Sequence, residues 1–428
     1  MMQCEWQAEW EPLIEVLRRE VKPALGCTEP IAVALAAAHC RRLLGQVPSH
    51  LQVWVSGNLF KNGMGVGVPG TGMSGLPIAA AIGAVAGDAE AGLEVLRAIT
   101  ADDVARAQAL LPATRIDVKS VAEVLYVEVL GEFDGHQARV IICTDHTRVV
   151  LMERDGEVLH TQSREPVVQA SKQAGMSLQT ILQFASQVPL SAIAFIREAA
   201  SLNQALADEG LRGYGLRIGQ MLTTQIEKRV LADDLMTLAM RLSSAASDAR
   251  MDGAMLPAMS NSGSGNQGIA ATMPVVAAAR FLGVEDEKLC RALAMSHLLA
   301  IYIKTYQPKL SALCAASTAA MGAGAAITWL LGGSAHQIGL CINNMIGDVA
   351  GIICDGAGTA CSMKVSTCAS AAVKAALMAT SDLGVTAQEG IIGIDAEQTI
   401  ANLGQLCREG MQQTDQQILT IIRDKRVG

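Results

Sequence analysis

Two regimes of hydrophobic spacing divide the chain. Up to about residue 161, apolar positions recur at helical spacing over 9–22 and 30–44. They recur with strand character over 52–56, 116–119, 125–130, 138–143, 149–153 and 157–160. A further helical pattern runs from 88 to 111, with a capping-box signature at Thr100–Asp103 partway along. Asp134-Gly135 and Asp155-Gly156 separate successive strand patterns, and Asp-Gly accepts the positive φ angles of tight hairpin turns. The pattern predicts an antiparallel meander with helices on one face.

A polar connector spans 161–175. Beyond it no strand pattern is evident, and helical spacing runs through 178–188, 190–207, 216–231, 234–247, 268–282, 286–304, 310–331, 336–353, 363–380 and 396–412. The expected fold class is therefore α+β. An N-terminal antiparallel sheet with helices should occupy 1–165, and an all-helical domain 176–428.

Composition sharpens this picture. Half of the residues are hydrophobic but only 3% are aromatic, so Ala, Gly, Val, Leu and Met must fill the interior. Small side chains let helices approach closely, which suits a compact enzyme better than a binding module with exposed aromatics. A net charge of -8 without a Lys/Arg run argues against nucleic acid as a partner. The first twenty residues lack a basic n-region and an apolar h-region, so a cytoplasmic protein is expected. Residues 310–347 contain no Asp, Glu, Lys or Arg. They are rich in Ala, Gly, Ser and Thr and are broken by Gly332-Gly333-Ser334, which predicts two buried helices rather than a membrane span. So apolar a chain could also hide an interface between copies of itself, making a homo-oligomer.

Three segments interrupt the helical pattern with glycine and polar residues: 57–75, 252–268 and 355–359. Together they point to backbone gathered at a shared site. The eleven cysteines are expected to be reduced, not a disulfide framework. Cys354 and Cys361 have six residues between them (C-DGAGTA-C), a spacing of neither zinc ribbons nor ferredoxins. Gly356 and Gly358 interrupt the chain between them, and a helix is expected to begin near Cys361. A helix N-terminus favours thiolates and an anionic cluster. Cys314, inside the uncharged stretch, could add a third ligand. Three thiolates on a four-iron cluster leave one iron open as a Lewis acid; the competing reading is three buried core cysteines.

Cys27 precedes a helix start at Pro30, where a lowered thiol pKa would suit a base or nucleophile. The remaining cysteines read as packing, with Cys368 on the same helical face as Cys361. Ser260, Asn261, Ser262, Ser264 and Asn266, with nearby glycine N–H groups, could hold a carboxylate. Lys61, Asn62 and Lys364 are further polar candidates, and His297 and His336 read as core histidines. A competing enzyme class uses pyridoxal phosphate, with 263–268 as phosphate cradle and Lys61 as Schiff base. That loop lies among helices, however, whereas such cradles usually follow a strand.

The segments EVKPALGCTEP, KNGMGVGVPGTGMSGLPIAAA, SNSGSGNQG, LSALC and GIICDGAGTACSMK resemble the L-cysteine desulfidase family. That family is similar to the α part of bacterial iron–sulfur L-serine dehydratases, and the resemblance covers nearly the whole chain. It implies an oxygen-sensitive [4Fe-4S] cluster and the conversion of L-cysteine and water to hydrogen sulfide, ammonia and pyruvate. Cys314, Cys354 and Cys361 match the cluster ligands, and Cys27 matches the proton acceptor. In the serine dehydratases the stretch between the second and third cysteines is longer than DGAGTA, a departure that favours the desulfidase branch.

Overall fold

The computed structural model describes residues 2–165 and 175–425. Ten strands occur in chain order: β1 (Pro23–Leu25), β2 (His50–Val55), β3 (Gly67–Val68), β4 (Met73–Ser74), β5 (Thr114–Val118), β6 (Tyr126–Phe133), β7 (His136–Cys143), β8 (Val149–Arg154), β9 (Glu157–Thr161) and β10 (Pro257–Met259). The main sheet has the order β5-β2-β6-β7-β8-β9. From β6 to β9 it is the antiparallel meander that the sequence predicts. Its turns hold Asp134 at φ 49° with Gly135 at 80°, and Asp155 at 51° with Gly156 at 84°. Two successive positive φ angles match the right-handed twist of the flanking strands.

The sheet is mixed rather than purely antiparallel, because β2 pairs parallel with β5. Helices Leu76–Ala86 and Ala101–Leu110 lie between those strands in sequence and supply the crossover a parallel pair needs. The pattern over 88–111 is correspondingly not one helix. A short 3-10 turn, Gly92–Glu94, precedes a helix that starts at Ala101. Thr100 is its N-cap, so the capping box marks a beginning and not a midpoint. Segment 57–75 is not all loop either, since it holds helix Gly57–Gly63 and the β3–β4 hairpin. Helices Thr28–Leu44 and Leu76–Ala86 cover one face of the sheet around a core that includes Leu35, Val53, Val129 and Val140.

The C-terminal part is helical, as expected, with four differences. The 190–207 pattern breaks at a 3-10 turn, Ala194–Ile196, between Leu190–Ile193 and Arg197–Gly210. The last pattern runs on past 412 as a π-turn, Leu406–Gly410, and helix Gln412–Asp424. Strand β10 was not foreseen. Finally, the first helix, Met2–Glu20, buries Trp10, Leu13 and Leu17 in the helical core rather than against the sheet, with Trp10 edge-on to Phe184. Residues 166–174 of the polar connector lie outside the described residues.

Helix Ala315–Leu330 runs through the centre of this part, against Gly265–Leu282, Asp286–Thr305, Ala335–Val349 and Cys361–Thr380. Its small residues permit that crowding. A Cβ on Gly322 would lie 2.3 Å from the carbonyl oxygen of Ser296. Gly332, at φ 89°, turns the chain into the next helix, so the uncharged stretch is two helices as predicted, the first buried almost throughout and the second along one face only. No single helix among the described residues is long and apolar enough to cross a membrane.

The two parts are tied together by a small sheet. β1 pairs antiparallel with β10. Just beyond it, the Ser260 backbone N–H and hydroxyl both donate to the Lys22 carbonyl, at 2.8 and 2.6 Å. This sets the 260–264 loop beside the turn that leads into Cys27.

Candidate active site

Chain direction brings four cysteines to this junction. Gly26, at φ 75°, ends β1, and Cys27 is the N-cap of helix Thr28–Leu44. Cys314 is the N-cap of Ala315–Leu330, and Cys361 is the first residue of Cys361–Thr380. An isolated antiparallel bridge, Leu313 to Ile353, brings the segments of Cys314 and Cys354 together, each cysteine one residue past the paired position and so diagonal to the other. The Cys314 N–H donates to Ile352 (3.0 Å) and the Cys354 N–H to Ala312 (2.7 Å). Cys27, Val66 and Met251 form a small apolar cluster against Ala357 and Cys361. The six-residue stretch with Gly356 and Gly358 thus folds back so that both ends of C-DGAGTA-C face the same region.

A polar chain connects the parts. The Cys27 Sγ donates to Glu29 Oε2 at 3.1 Å, and Thr28 Oγ1 donates to the same oxygen at 3.2 Å. Asn62 Nδ2 donates to Glu29 Oε1 at 3.2 Å, and Asn62 Oδ1 lies 3.8 Å from the Cys354 sulfur. Asn62, a predicted substrate ligand, therefore joins Glu29 to the cysteine loop.

Cys27 corrects one expectation. Burial pushes its thiol well above the ordinary value rather than below it, and the Glu29 carboxylate adds to the rise. The helix start is outweighed by desolvation and a neighbouring negative charge. Cys314 is pushed up to about 12, by burial first and then by Cys354 and Cys361. Burial also raises Cys361, against the lowering effects of a Gly358 hydrogen bond, Lys364 and Arg250. These thiols are close enough to feel one another's charge. Among the described residues, however, no three Cys, His, Asp or Glu side chains sit at single-ion ligand spacing. Three cysteine thiols are nonetheless a donor set of the kind that holds iron–sulfur clusters. A metal would displace their protons on binding.

Two lysines hold the cysteine loop. Lys61 Nζ donates to the Cys354 carbonyl at 3.1 Å and pairs with Asp415 at 2.6 Å, its side chain 1% exposed. Lys364 Nζ donates to the Ile353 carbonyl at 2.7 Å and pairs with Asp355. Lys61, which either a substrate-binding or a Schiff-base role would use, is thus committed to the backbone beside a cysteine.

The 260–266 loop divides in the same way. Ser260 bonds to Lys22. Asn261 donates to the His297 ring and carbonyl and accepts from Ser262 and Gln267. Ser264 is the N-cap of helix Gly265–Leu282. Asn266 remains at the junction, where its Nδ2 lies 3.2 Å from Met251 Sδ and its Oδ1 accepts from Ser247 at 3.1 Å. His297 is fully buried and bonded at both nitrogens, the core histidine expected. His336 is not a core residue, because it is exposed on the wall of a separate cavity with Asn343, Asp395 and Glu397. Cys368 is fully buried within the helical core.

Three residues at the junction were missed. Glu29 read as an ordinary acid in a first helical turn. Arg250 ends helix Leu235–Met251, and a lone Arg there reads as surface charge, yet it is 2% exposed. His146 stands in the β7–β8 connection, where turns normally face water, yet it is 3% exposed and its Nε2 has no partner among the described residues. The Glu-Pro after Cys27 was the one visible signal, a carboxylate two residues from a candidate base.

Residues 90–420 match the sequence model of the family described as "Serine dehydratase alpha chain". The whole chain is 69% identical to a UPF0597 protein of Aeromonas hydrophila subsp. hydrophila, covering 99% of that relative. It is 54% identical to a UPF0597 protein of Shewanella pealeana, over 97% of this chain and 99% of the other. It is 52% identical to the UPF0597 protein YhaM of Salmonella newport, over 97% and 98%. With the coverage of the family match and the identity to these relatives, the chain belongs to the serine dehydratase alpha chain family.

Proposed function

We propose that this protein is a lyase that removes hydrogen sulfide and ammonia from L-cysteine, leaving pyruvate. The observation that carries this reading is the gathering of Cys27, Cys314, Cys354 and Cys361 at one junction, joined by the Glu29–Asn62 hydrogen bonds. Cys314, Cys354 and Cys361 would hold a [4Fe-4S] cluster, a reading that the three thiol donors and the family match support. When bound, the cluster supplies a Lewis-acidic iron that favours departure of the β-substituent.

The chain's own residues manage the protons. In the net reaction the Cα–H bond breaks and its electron pair forms a Cα=Cβ bond. The Cβ–S bond breaks with its pair on sulfur, which leaves as hydrogen sulfide after taking a proton. The resulting 2-aminoacrylate tautomerises to an imine, which water hydrolyses to pyruvate and ammonia. Cys27 accepts the Cα proton. Its thiol is neutral at rest, so it first passes its own proton to Glu29 Oε2, 3.1 Å away. Asn62 holds the other Glu29 oxygen and fixes the carboxylate between Cys27 and the Cys354 loop.

The family description favours a second reading, with L-serine as the substrate and water as the leaving group. The short DGAGTA stretch supports the first. Sulfide and pyruvate release from L-cysteine and L-serine by anaerobically purified protein separates them. The expected outcome is a kcat/KM for L-cysteine at least about tenfold above that for L-serine, a difference of about 1.4 kcal/mol. Preference for L-serine replaces the first reading with the second, and conversion of neither contradicts both.

A further inference from the structure

Arg250 is a buried cation with no ion-pair partner among the described residues. An arginine cannot shed its charge, so burial has to be compensated by a partner. Here the Nε has no hydrogen-bond partner among the described residues, and Nη1 reaches only the Met251 thioether, at 3.1 Å. Asn266 Nδ2 points at the same sulfur. Two strong donors thus converge on one weak acceptor, where a carboxylate would satisfy both.

The surroundings are built for an anion. A Cβ on Gly265 would lie 2.1 Å from the Arg250 Nε, so only glycine admits the guanidinium there. Gly265 and Asn266 open helix Gly265–Leu282, and while Ser264 accepts from the Gln267 and Gly268 N–H groups, those of Gly265 and Asn266 have no intrahelical acceptor. Met251 packs with Cys27 and Cys361, which sets the guanidinium beside the reacting groups. His146, whose buried Nε2 also has no partner among the described residues, lies against Gly263 on the same loop.

We propose that Arg250, together with the Asn266 side chain and the backbone N–H groups of Gly265 and Asn266, binds the α-carboxylate of the amino-acid substrate. The substrate itself supplies the missing counterion. A carboxylate held bidentately by guanidinium fixes Cα relative to Cys27 and drains charge from the carbanion that proton removal develops. This assignment rests on the lyase reading for the identity of the carboxylate, but not on which β-substituent leaves.

Calorimetric titration of the anaerobically purified protein tests it. The probes are L-alanine, which keeps the α-carboxylate but has no leaving group, and L-alaninamide, which lacks the carboxylate. The wild type is expected to bind L-alanine at least about 100-fold more tightly than the amide, as a site built around a charged hydrogen bond does. Arg250→Met loses that discrimination, and Arg250→Lys recovers part of it. Ligand-free Arg250→Met is expected to melt no lower than wild type, because an uncompensated charge has gone. L-Alanine raises the wild-type Tm and leaves that of Arg250→Met unchanged. Equal treatment of the two probes by wild type, whether both bind or neither does, overturns the proposal. So does L-alanine affinity retained by Arg250→Met, or a ligand-free Arg250→Met that melts several degrees lower, the mark of a structural arginine. Discrimination that persists in a protein inactive on L-cysteine supports Arg250 and counts against the desulfidase reading alone.

Discussion

At the residue scale, burial decides chemistry more than position does. Cys27 sits where a helix start should favour its thiolate, yet desolvation and Glu29 favour the thiol. A base of this kind works only with a partner to take its proton. Glu29→Gln keeps the shape of the hydrogen-bonded chain and removes that acceptor. Its kcat is expected to fall by about 10²–10⁴, the usual weight of general base catalysis, with iron–sulfur absorbance unchanged. Cys27→Ala should behave alike, and full turnover by either variant contradicts the relay. His297 offers a test away from the site. Burial holds its pKa down at about 3, against an ordinary 6.5. Above 6.5 it is neutral folded or unfolded, so its contribution to stability is fully present. As pH falls from 6.5 toward 3 the unfolded chain takes up a proton that the native state refuses. Stability then drops by about 1.4 kcal/mol per pH unit. Denaturant unfolding at pH 7 and 5.5 should show a steeper loss for wild type than for His297→Gln. Residues of this kind set the limit of what a sequence reveals. Cys314, Cys354 and Cys361 stand out in the sequence because the segments around them are distinctive. Arg250 and His146 were not, because only the fold tells a buried lone charge from a solvated one.

At the element scale, local signals were reliable and long-range pairing was not. Two Asp-Gly turns announced their hairpins, and Thr100 announced a helix start, although the pattern around it ran on and suggested a longer helix. The parallel β2–β5 pair depends on a crossover that no local spacing reports. Strand β10 escaped because three residues, Pro-Ala-Met, show no alternation, yet it anchors the loop at the site. Its fit against helix Gly265–Leu282 is tight, for a Cβ on Gly268 would lie 1.9 Å from the Met259 carbonyl oxygen. Gly268→Ala is therefore expected to cost about 1–3 kcal/mol in chemical denaturation and to raise KM by shifting the 260–266 loop. A variant with wild-type stability and KM would show that the loop tolerates displacement.

At the scale of the whole molecule, the junction between the sheet and the helices is where function and stability meet. The ties that cross it include the β1–β10 pair, Lys309 to Asp145 at 2.9 Å, and Lys61 to Asp415 at 2.6 Å. The last is buried and reaches the Cys354 carbonyl. Asp415→Ala would strand the Lys61 ammonium, at an expected cost of about 3–5 kcal/mol in denaturation. It should also hasten the loss in air of the absorbance that the proposed cluster would give, because the Cys354 loop loses its anchor. Unchanged stability and an unchanged bleaching rate would mean that Lys61 finds solvent. The division into a sheet-bearing part and a helical part was readable from hydrophobic spacing. The docking of the first helix on the helical core was not, because an amphipathic stripe does not name its partner.

Iron and acid-labile sulfide, counted per chain in anaerobically purified protein, test the central claim most directly. The wild type is expected to carry about four of each, with near-complete loss in Cys314→Ser, Cys354→Ser and Cys361→Ser. Cys368→Ser, altered in the core alone, should keep its full complement. Wild-type iron and sulfide retained by any of the first three variants would contradict the account.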